Sequence, residues 1–192
     1  MNSDPILRFR ALLAEASQLG IAPYNAAAFA TTGKDLQPTV RMLLLKEVDN
    51  RGLVFYTNLE SRKARQLSDN PRASACFWWS QLRQQLRFEG AVEIVSGQEA
   101  DEYFASRPRG SQIGAWASHQ SSELSSREEL IAAAASFSAK YKDRMVPRPP
   151  QWSGYRLLAE RIEFWREQPD RLHDRELYTR RADGWNVMLL AP

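Results

Sequence analysis

Apolar and polar positions change period along this chain, from helical spacing at its start to strand alternation through its middle. Phe9, Leu12, Leu13 and Ala16 share one helical face. Asp4 is placed to cap, Pro5 suits the first helical position and Gly20 suits the end, so a helix is predicted over residues 5–20 as cover for one side of a sheet. Strand-like runs follow at 26–32, 38–46, 53–57, 74–79 and 86–95. The links Gly33-Lys-Asp and Asp49-Asn-Arg-Gly52 carry the glycine and Asx residues that tight turns favour. Residues 61–70 read as a helix ending before Pro71. A Ser96-Gly-Gln-Glu99 capping box opens another through Phe104, and Ser125 or Ser126, followed by Glu128 and Glu129, opens a third through Leu130, Phe137 and Tyr141. Late strands are predicted at 155–165, 176–181 and 185–189. Many strands on short links with a few helices predict an α+β fold: a closed, mostly antiparallel β-barrel with peripheral helices, not a doubly wound parallel sheet.

Composition narrows the chemistry. With 192 residues, 43% of them hydrophobic, the chain has the length and apolar content for a single domain spanning 1–192. A net charge of +3 is too small to imply nucleic acid as a partner. The single cysteine, Cys76, lies in the apolar run Ala-Cys-Phe-Trp-Trp, which excludes an intrachain disulfide and a cysteine metal cluster and fits a reducing compartment. No basic stretch leads into an apolar one at the N-terminus, and no apolar run nears the ~20 residues of a membrane span, so a soluble cytoplasmic protein is expected. The nine glycines are scattered, with neither Gly-x-Gly-x-x-Gly nor a Gly-Lys-Ser/Thr loop, so any phosphate must be gripped by side chains. Only His119 and His173 are present, without His-Glu-x-x-His or a calcium loop, and no metal site is expected. No Gly-x-Ser-x-Gly elbow supports a hydrolase.

Four clusters set cations among apolar residues. Arg41 and Lys46 flank Met42, Leu43, Leu44 and Leu45; they read as strand-end charges in water or as two sides of an anion site, and strict alternation puts them on opposite faces. Phe55-Tyr56-Thr57-Asn-Leu-Glu-Ser-Arg62-Lys63 runs from a strand end into a helix start, either a solvated helix start or a phosphate site built from Thr57, Arg62, Lys63 and first-turn amides. Tyr103, Arg107 and Ser111 align if the helix interrupted at Pro108 resumes in register; a capped turn is the plainer reading. Arg171, His173 and Arg175 alternate along one predicted strand face, as a solvated edge or as a site for an electron-rich ligand. Trp165 nearby offers either a core ring or a flat surface for a fused ring.

Taken in order, Arg-Met-Leu-Leu-Leu-Lys, Phe-Tyr-Thr-Asn-Leu-Glu-Ser-Arg-Lys, Tyr-Phe-Ala-Ser-Arg-Pro-Arg-Gly-Ser-Gln-Ile-Gly-Ala-Trp, Ser-His-Gln-Ser-Ser, Ile-Glu-Phe-Trp and Arg-Leu-His-Asp-Arg make the chain resemble the pyridoxamine 5'-phosphate oxidase family over nearly its whole length. The resemblance implies an FMN-binding split β-barrel and a homodimer with flavin at the subunit interface, where Arg41 and Lys46 could both face ligand. It implies oxidation of pyridoxamine or pyridoxine 5'-phosphate to pyridoxal 5'-phosphate, with dioxygen reduced to peroxide. By matching position, the residues from Arg41 to Lys46, with Tyr56, Thr57, Arg62, Lys63, Gln85, Gln120, Ser121, Trp165 and Arg175, look like FMN contacts. Lys46, Tyr103, Arg107 and Ser111 look like the pocket for the substrate phosphate. Arg171 and His173 look like the residues over the reactive carbon, with Arg171 positioning and His173 the better proton acceptor. Two departures stand out. Only Met1 to Ser3 precede Asp4, so a lid contribution from an N-terminal arm is expected to be missing or replaced. The ending Leu189-Leu-Ala-Pro192 stands where the family has Arg-Leu-Ala/Ser-Pro. A split-barrel flavin oxidase for another aromatic substrate, as in phenazine-type relatives, and a non-catalytic flavin-binding or basic interaction module remain the alternatives.

Overall fold

The computed structural model describes residues 4–192. Helix α1 (Pro5–Gln18) starts where the Asp4 carboxylate accepts the Ile6 N–H at 2.8 Å and ends at Gly20, whose φ of +69° favours glycine. Its inner face puts Phe9 against Phe77 and Phe88, with ring centroids 5.1 and 4.6 Å apart. The next elements are β1 (Ala26–Thr32), β2 (Pro38–Leu44), β3 (Glu47–Val48), β4 (Leu53–Asn58), α2 (Arg62–Asp69), β5 (Arg72–Trp79) and β6 (Gln84–Ile94). Helices α3 (Gly97–Ser106), α4 (Arg109–Ala117) and α5 (Arg127–Lys140) follow, and β7 (Trp152–Arg166), β8 (Asp174–Arg181) and β9 (Gly184–Leu189) complete the chain.

All strand pairings are antiparallel, in the order β2-β1-β5-β6-β7-β4-β3, with β8 on β7 and β9 on β8. The 15-residue β7 makes this branch possible, because its first part pairs with β4 and its second with β8 while β6 runs along its other edge. A bulge at Glu89/Gly90 bends β6, and only glycine fits there, since a Cβ on Gly90 would lie 1.9 Å from the Leu158 carbonyl oxygen. The core fills the inside of the curl with Phe29, Phe55, Phe77, Trp79, Leu86, Phe88, Leu157, Ile162 and Phe164. Each such side chain contributes roughly 1.5–3 kcal/mol on burial. A second cluster, Phe104, Ile113, Tyr141, Val146 and Trp152, packs α3, α4 and α5 against the start of β7.

Four expectations need correction. The barrel is not closed: β2 and β3, which end the main strand order, are brought near by the two residues between them but joined by no ladder, so it is split along that seam. The run 38–46 is not one strand. At Leu45 the backbone leaves β1, its N–H donating to the Asn25 carbonyl at 2.8 Å, and the Lys46 N–H then donates to Val54 at 3.0 Å. The helix at 97–106 does not resume in register after Pro108, because Arg107 is extended (ψ 147°) and α4 starts afresh. Residues 171–173 are not strand: Asp170 and Arg171 take φ of 55° and 62°, and β8 begins only at Asp174. Of the two serines proposed to cap α5, Ser126 accepts the Glu129 N–H, at 3.2 Å. The expectation about the segment before Asp4 lies outside the described residues.

Candidate functional site

Three groups of the candidate residues gather in space. In the first, Arg41 on β2 and Lys63 on α2 are both held by neutral oxygens. The Arg41 guanidinium donates to the Phe29 carbonyl at 2.9 Å and to the hydroxyls of Thr31 and Thr39 at 2.7 and 2.5 Å. Lys63, 7% exposed, donates to Thr57 at 2.7 Å, Ser61 at 3.0 Å and Gln120 Oε1 at 2.6 Å. The local sequence explains the placement: Ser61 caps α2, and two residues later the Lys63 side chain folds back over that cap. Burial, and then the charge of Arg41, push the Lys63 amine down to about 8; burial and the charge of exposed Arg62 also lower Arg41. Among the described residues, no carboxylate lies within ion-pair distance of Arg41, Arg62 or Lys63. The guanidiniums of Arg87, Arg156 and Arg175 are instead neutralised by Glu163, Glu99 and Asp49. Positive charge left uncompensated and preorganised is what an anion of charge −2 requires. Ser121 follows Gln120 at a φ of 71° in the exposed loop after α4.

The second group lines a pocket of about 540 Å3 bounded by Met42, Leu43, Leu44, Lys46, Tyr56, Tyr103, Arg107, Ser111 and Trp152. Although α3 breaks at Arg107, the extended link turns Tyr103, Arg107 and Ser111 into the same space. Tyr56, Tyr103 and Trp152 stack in parallel, with Tyr56 4.0 Å from Tyr103 and 5.3 Å from Trp152. The Arg107 guanidinium lies 4.7 Å over Trp152, and Lys46 lies 5.9 Å from the Tyr103 ring. Arg107 Nη1 is buried with no hydrogen-bond partner, and burial lowers the pKa of this guanidinium. A buried unused donor above a flat aromatic floor suits a planar ring carrying an anionic group. Burial, followed by the charges of Glu47 and Glu99, raises the Tyr56 phenol to about 12, so it stays protonated and donates to the Glu99 carbonyl at 3.3 Å. Leu45 does not belong to this group: its side chain enters the core and Asn25 engages both its backbone groups.

The third group forms a row across β5 to β8, where Trp78, Gln85, Trp165 and Arg175 are successive cross-strand partners. The His173 ring lies 4.5 Å from Trp165, and its Nδ1 accepts the Gln168 N–H at 3.2 Å. A neutral ring with Nδ1 so engaged carries its proton on Nε2. Arg175 is held through Nε by Glu163 at 2.9 Å and through Nη1 by the Ala191 carbonyl at 2.8 Å. Arg171 is exposed at the turn before β8. His173 lines a separate pocket from the one lined by Lys46 and Arg107, and the two pockets share no lining residue.

Comparison with known proteins decides the family. Residues 13–141 match the family model described as pyridoxamine 5'-phosphate oxidase, and residues 152–192 match that described as the pyridoxine 5'-phosphate oxidase C-terminal dimerisation region. The chain belongs to the pyridoxamine 5'-phosphate oxidase family. Within it, the chain is 52% identical to a pyridoxine/pyridoxamine 5'-phosphate oxidase of Myxococcus xanthus, over 98% of this chain and 92% of that one. It is 50% identical to the Gluconobacter oxydans enzyme of the same name, over 100% and 96% of the two chains. Among solved structures it is similar to PhzG from Burkholderia lata, in complex with tetrahydrophenazine-1-carboxylic acid, at a TM-score of 0.94 and 35% identity over 99% of this chain and 93% of that one. A pyridoxamine 5'-phosphate oxidase-related, FMN binding protein of Nostoc punctiforme shares the fold at a TM-score of 0.79 and 16% identity, covering 100% of both chains. Membership of this oxidase family makes the protein an oxidoreductase on a split-barrel scaffold. Among the described residues no helix is long and apolar enough to cross a membrane, and no group of three His, Cys, Asp or Glu stands ready to hold a metal.

Several site residues escaped the sequence. Thr31 and Gln66 around Arg41, Trp152 beneath Arg107 and Glu163 behind Arg175 come from distant segments, while Thr39 and Ser61 lie two residues from Arg41 and Lys63. Only Ser61 carried a signal, as the cap of a predicted helix.

Proposed function

We propose that this protein is an FMN-dependent oxidase that converts pyridoxamine or pyridoxine 5'-phosphate into pyridoxal 5'-phosphate, with dioxygen as acceptor and hydrogen peroxide as product. The observation that carries the reading is the pair of separate cationic sites, one for each of two phosphates. Arg41 and Lys63, whose charges are held by neutral acceptors and left for a ligand, and the exposed Arg62, with Thr57 and Gln120, suit the flavin phosphate. Lys46, Arg107 and Ser111 suit the substrate phosphate, and the Tyr103 and Trp152 rings beneath them suit a pyridine. FMN, when bound, would supply the two-electron redox chemistry between substrate and dioxygen.

The protein's own part is binding and orientation. Two phosphate anchors fix both ends of the reacting pair, which converts a chance encounter into a held geometry. The Trp165 surface, with Gln85 and Arg175 in the same row, suits the flavin ring. His173 Nε2–H and the exposed Arg171 offer donors to an electron-rich group on the substrate, and as a guanidinium Arg171 positions rather than accepts a proton. His173 and Arg107 line separate pockets of one chain, and a homodimer built through the C-terminal region, with a second chain supplying His173 and Arg171, would complete the site.

The test is anaerobic addition of pyridoxamine 5'-phosphate, and separately pyridoxine 5'-phosphate, to the FMN-loaded protein while the flavin absorbance is followed. Bleaching, then recovery with peroxide on admission of air, is the expected result. A yellow protein that stays oxidised with both but is bleached by a reduced phenazine carboxylate would favour the second reading, to which the likeness to PhzG points. A protein that FMN cannot load would sink both.

A further inference from the structure

We infer that Gln66 is a positioning residue that fixes Arg41 while leaving its charge unspent, and so makes the site select a flavin that carries a phosphate over the same flavin without one. The inference rests on the proposed binding of FMN. The usual way to hold an arginine is a carboxylate, and this protein does so repeatedly: Glu163 for Arg87 and Arg175, Glu99 and Asp49 for Arg156, and Asp101 for Arg148. Arg41 is treated differently. Its two terminal nitrogens donate to the hydroxyls of Thr31 and Thr39. A threonine hydroxyl that accepts from a guanidinium must send its own proton elsewhere, and free to rotate it would fix nothing. Both hydroxyls send it to the same atom, Gln66 Oε1, each at 2.7 Å. Gln66 is therefore the common brace of the cradle, and it is buried, so water does not compete for the role.

Its position on α2 gives the arrangement a second function. Gln66 lies three residues after Lys63, so one helix face presents the ammonium to the site and, a turn later, the brace for Arg41. Any shift of α2 moves both cations together. A glutamate at 66 would accept the same two hydrogen bonds in the same volume and differ only by a negative charge one hydroxyl away from Arg41. In this partly desolvated setting that charge would offset the guanidinium almost as a direct ion pair does. The amide preserves the geometry without that loss.

Apo-protein of the wild type, Gln66→Glu and Gln66→Leu is titrated with FMN and with riboflavin by quenching of flavin fluorescence, and melted with and without inorganic phosphate. Gln66→Glu should weaken FMN on the order of tenfold or more, leave riboflavin within about twofold, and abolish the phosphate-dependent rise in Tm while the protein stays folded. Gln66→Leu, which strands two hydroxyl protons but adds no charge, should weaken FMN by only a few fold. Equal weakening of FMN and riboflavin in Gln66→Glu, or wild-type affinity for FMN in that variant, would overturn the assignment. A wild type that ignores FMN but is stabilised by phosphate, with that stabilisation lost in Gln66→Glu, would remove the flavin reading and leave the role of Gln66 standing. Persistence of the phosphate effect in Gln66→Glu removes the role itself.

Discussion

Lys63 shows how burial shifts the charge of a single side chain. Desolvation and Arg41 depress its amine to about 8, so within the free protein it begins to lose its proton just above neutral pH. A bound dianion would favour the charged form, and by linkage the affinity for that anion is highest below about pH 8 and falls as pH rises through it. The expected outcome is an FMN dissociation constant that climbs between pH 7 and 9.5. Lys63→Met should bind on the order of tenfold more weakly and show a flat profile over the same range. A wild-type profile as flat as that of the variant would show that Lys63 does not titrate there. Glu163 makes the opposite case, a buried carboxylate shared by Arg87 and Arg175 at the back of the Trp165 row. Removing it in Glu163→Ala strands two guanidiniums, and a loss on the order of 3 kcal/mol is expected in chemical denaturation. A loss below about 1 kcal/mol would mean that water rescues them.

At the scale of elements, α3 is the piece whose placement decides the Lys46 pocket, because Tyr103 and Arg107 hang from it. Its start is held twice. The Ser96 hydroxyl accepts the Glu99 N–H at 3.2 Å while the Glu99 carboxylate accepts the Ser96 N–H at 2.9 Å, and the same carboxylate takes hydrogen bonds from Arg51 at 2.7 Å and from Arg156, itself 1% exposed, at 2.5 Å. The Arg156 guanidinium, then the Ser96 N–H, hold the Glu99 carboxyl at about 2, below its usual range. A depressed carboxylate contributes stability that is present above its unfolded pKa of about 4.5 and is lost as pH falls towards about 2. The melting temperature of the wild type should therefore drop across that window. Glu99→Gln should be less stable by about 2 kcal/mol at neutral pH and lose less on acidification. An unchanged acid profile in Glu99→Gln would assign the acid sensitivity to other groups.

For the molecule as a whole, the outer face of the sheet carries its own information. Met42, Ala28, Cys76, Arg87, Glu163, Leu177 and Met188 are successive partners across six strand pairings and so lie in one row on the side away from the core. Beside that row, Val40, Leu44 and Trp78 leave large apolar area exposed on one chain, a pattern that marks an association surface. Residues 152–192, which match the family's dimerisation region, supply β7, β8 and β9 to the same sheet. Light scattering should give twice the mass of the chain at micromolar concentration, and Trp78→Glu should shift the mass towards a single chain and weaken flavin binding in parallel. A monomeric wild type that turns over would show that one chain suffices.

How much was legible beforehand follows from the range of the forces involved. The strand and helix order, the Asp4, Ser61 and Ser96 caps and the glycine at the end of α1 were readable because each rests on neighbours within four residues. The ordered motifs likewise carried the family, since those words are long and local. Three things were not readable. The break at Leu45 depends on Asn25, twenty residues away, capturing its backbone; the helix restart at Arg109 and the turn at Arg171 depend on packing that overrides local spacing. Nor does any spacing rule pair Arg41 with Gln66 or Glu163 with both Arg87 and Arg175. By itself the sequence determined which residues carry charge and which segments are strand or helix. Whether a charge is neutralised or kept for a ligand was decided by tertiary structure, because that depends on which oxygen, carboxylate or amide, a distant strand or helix brings to it.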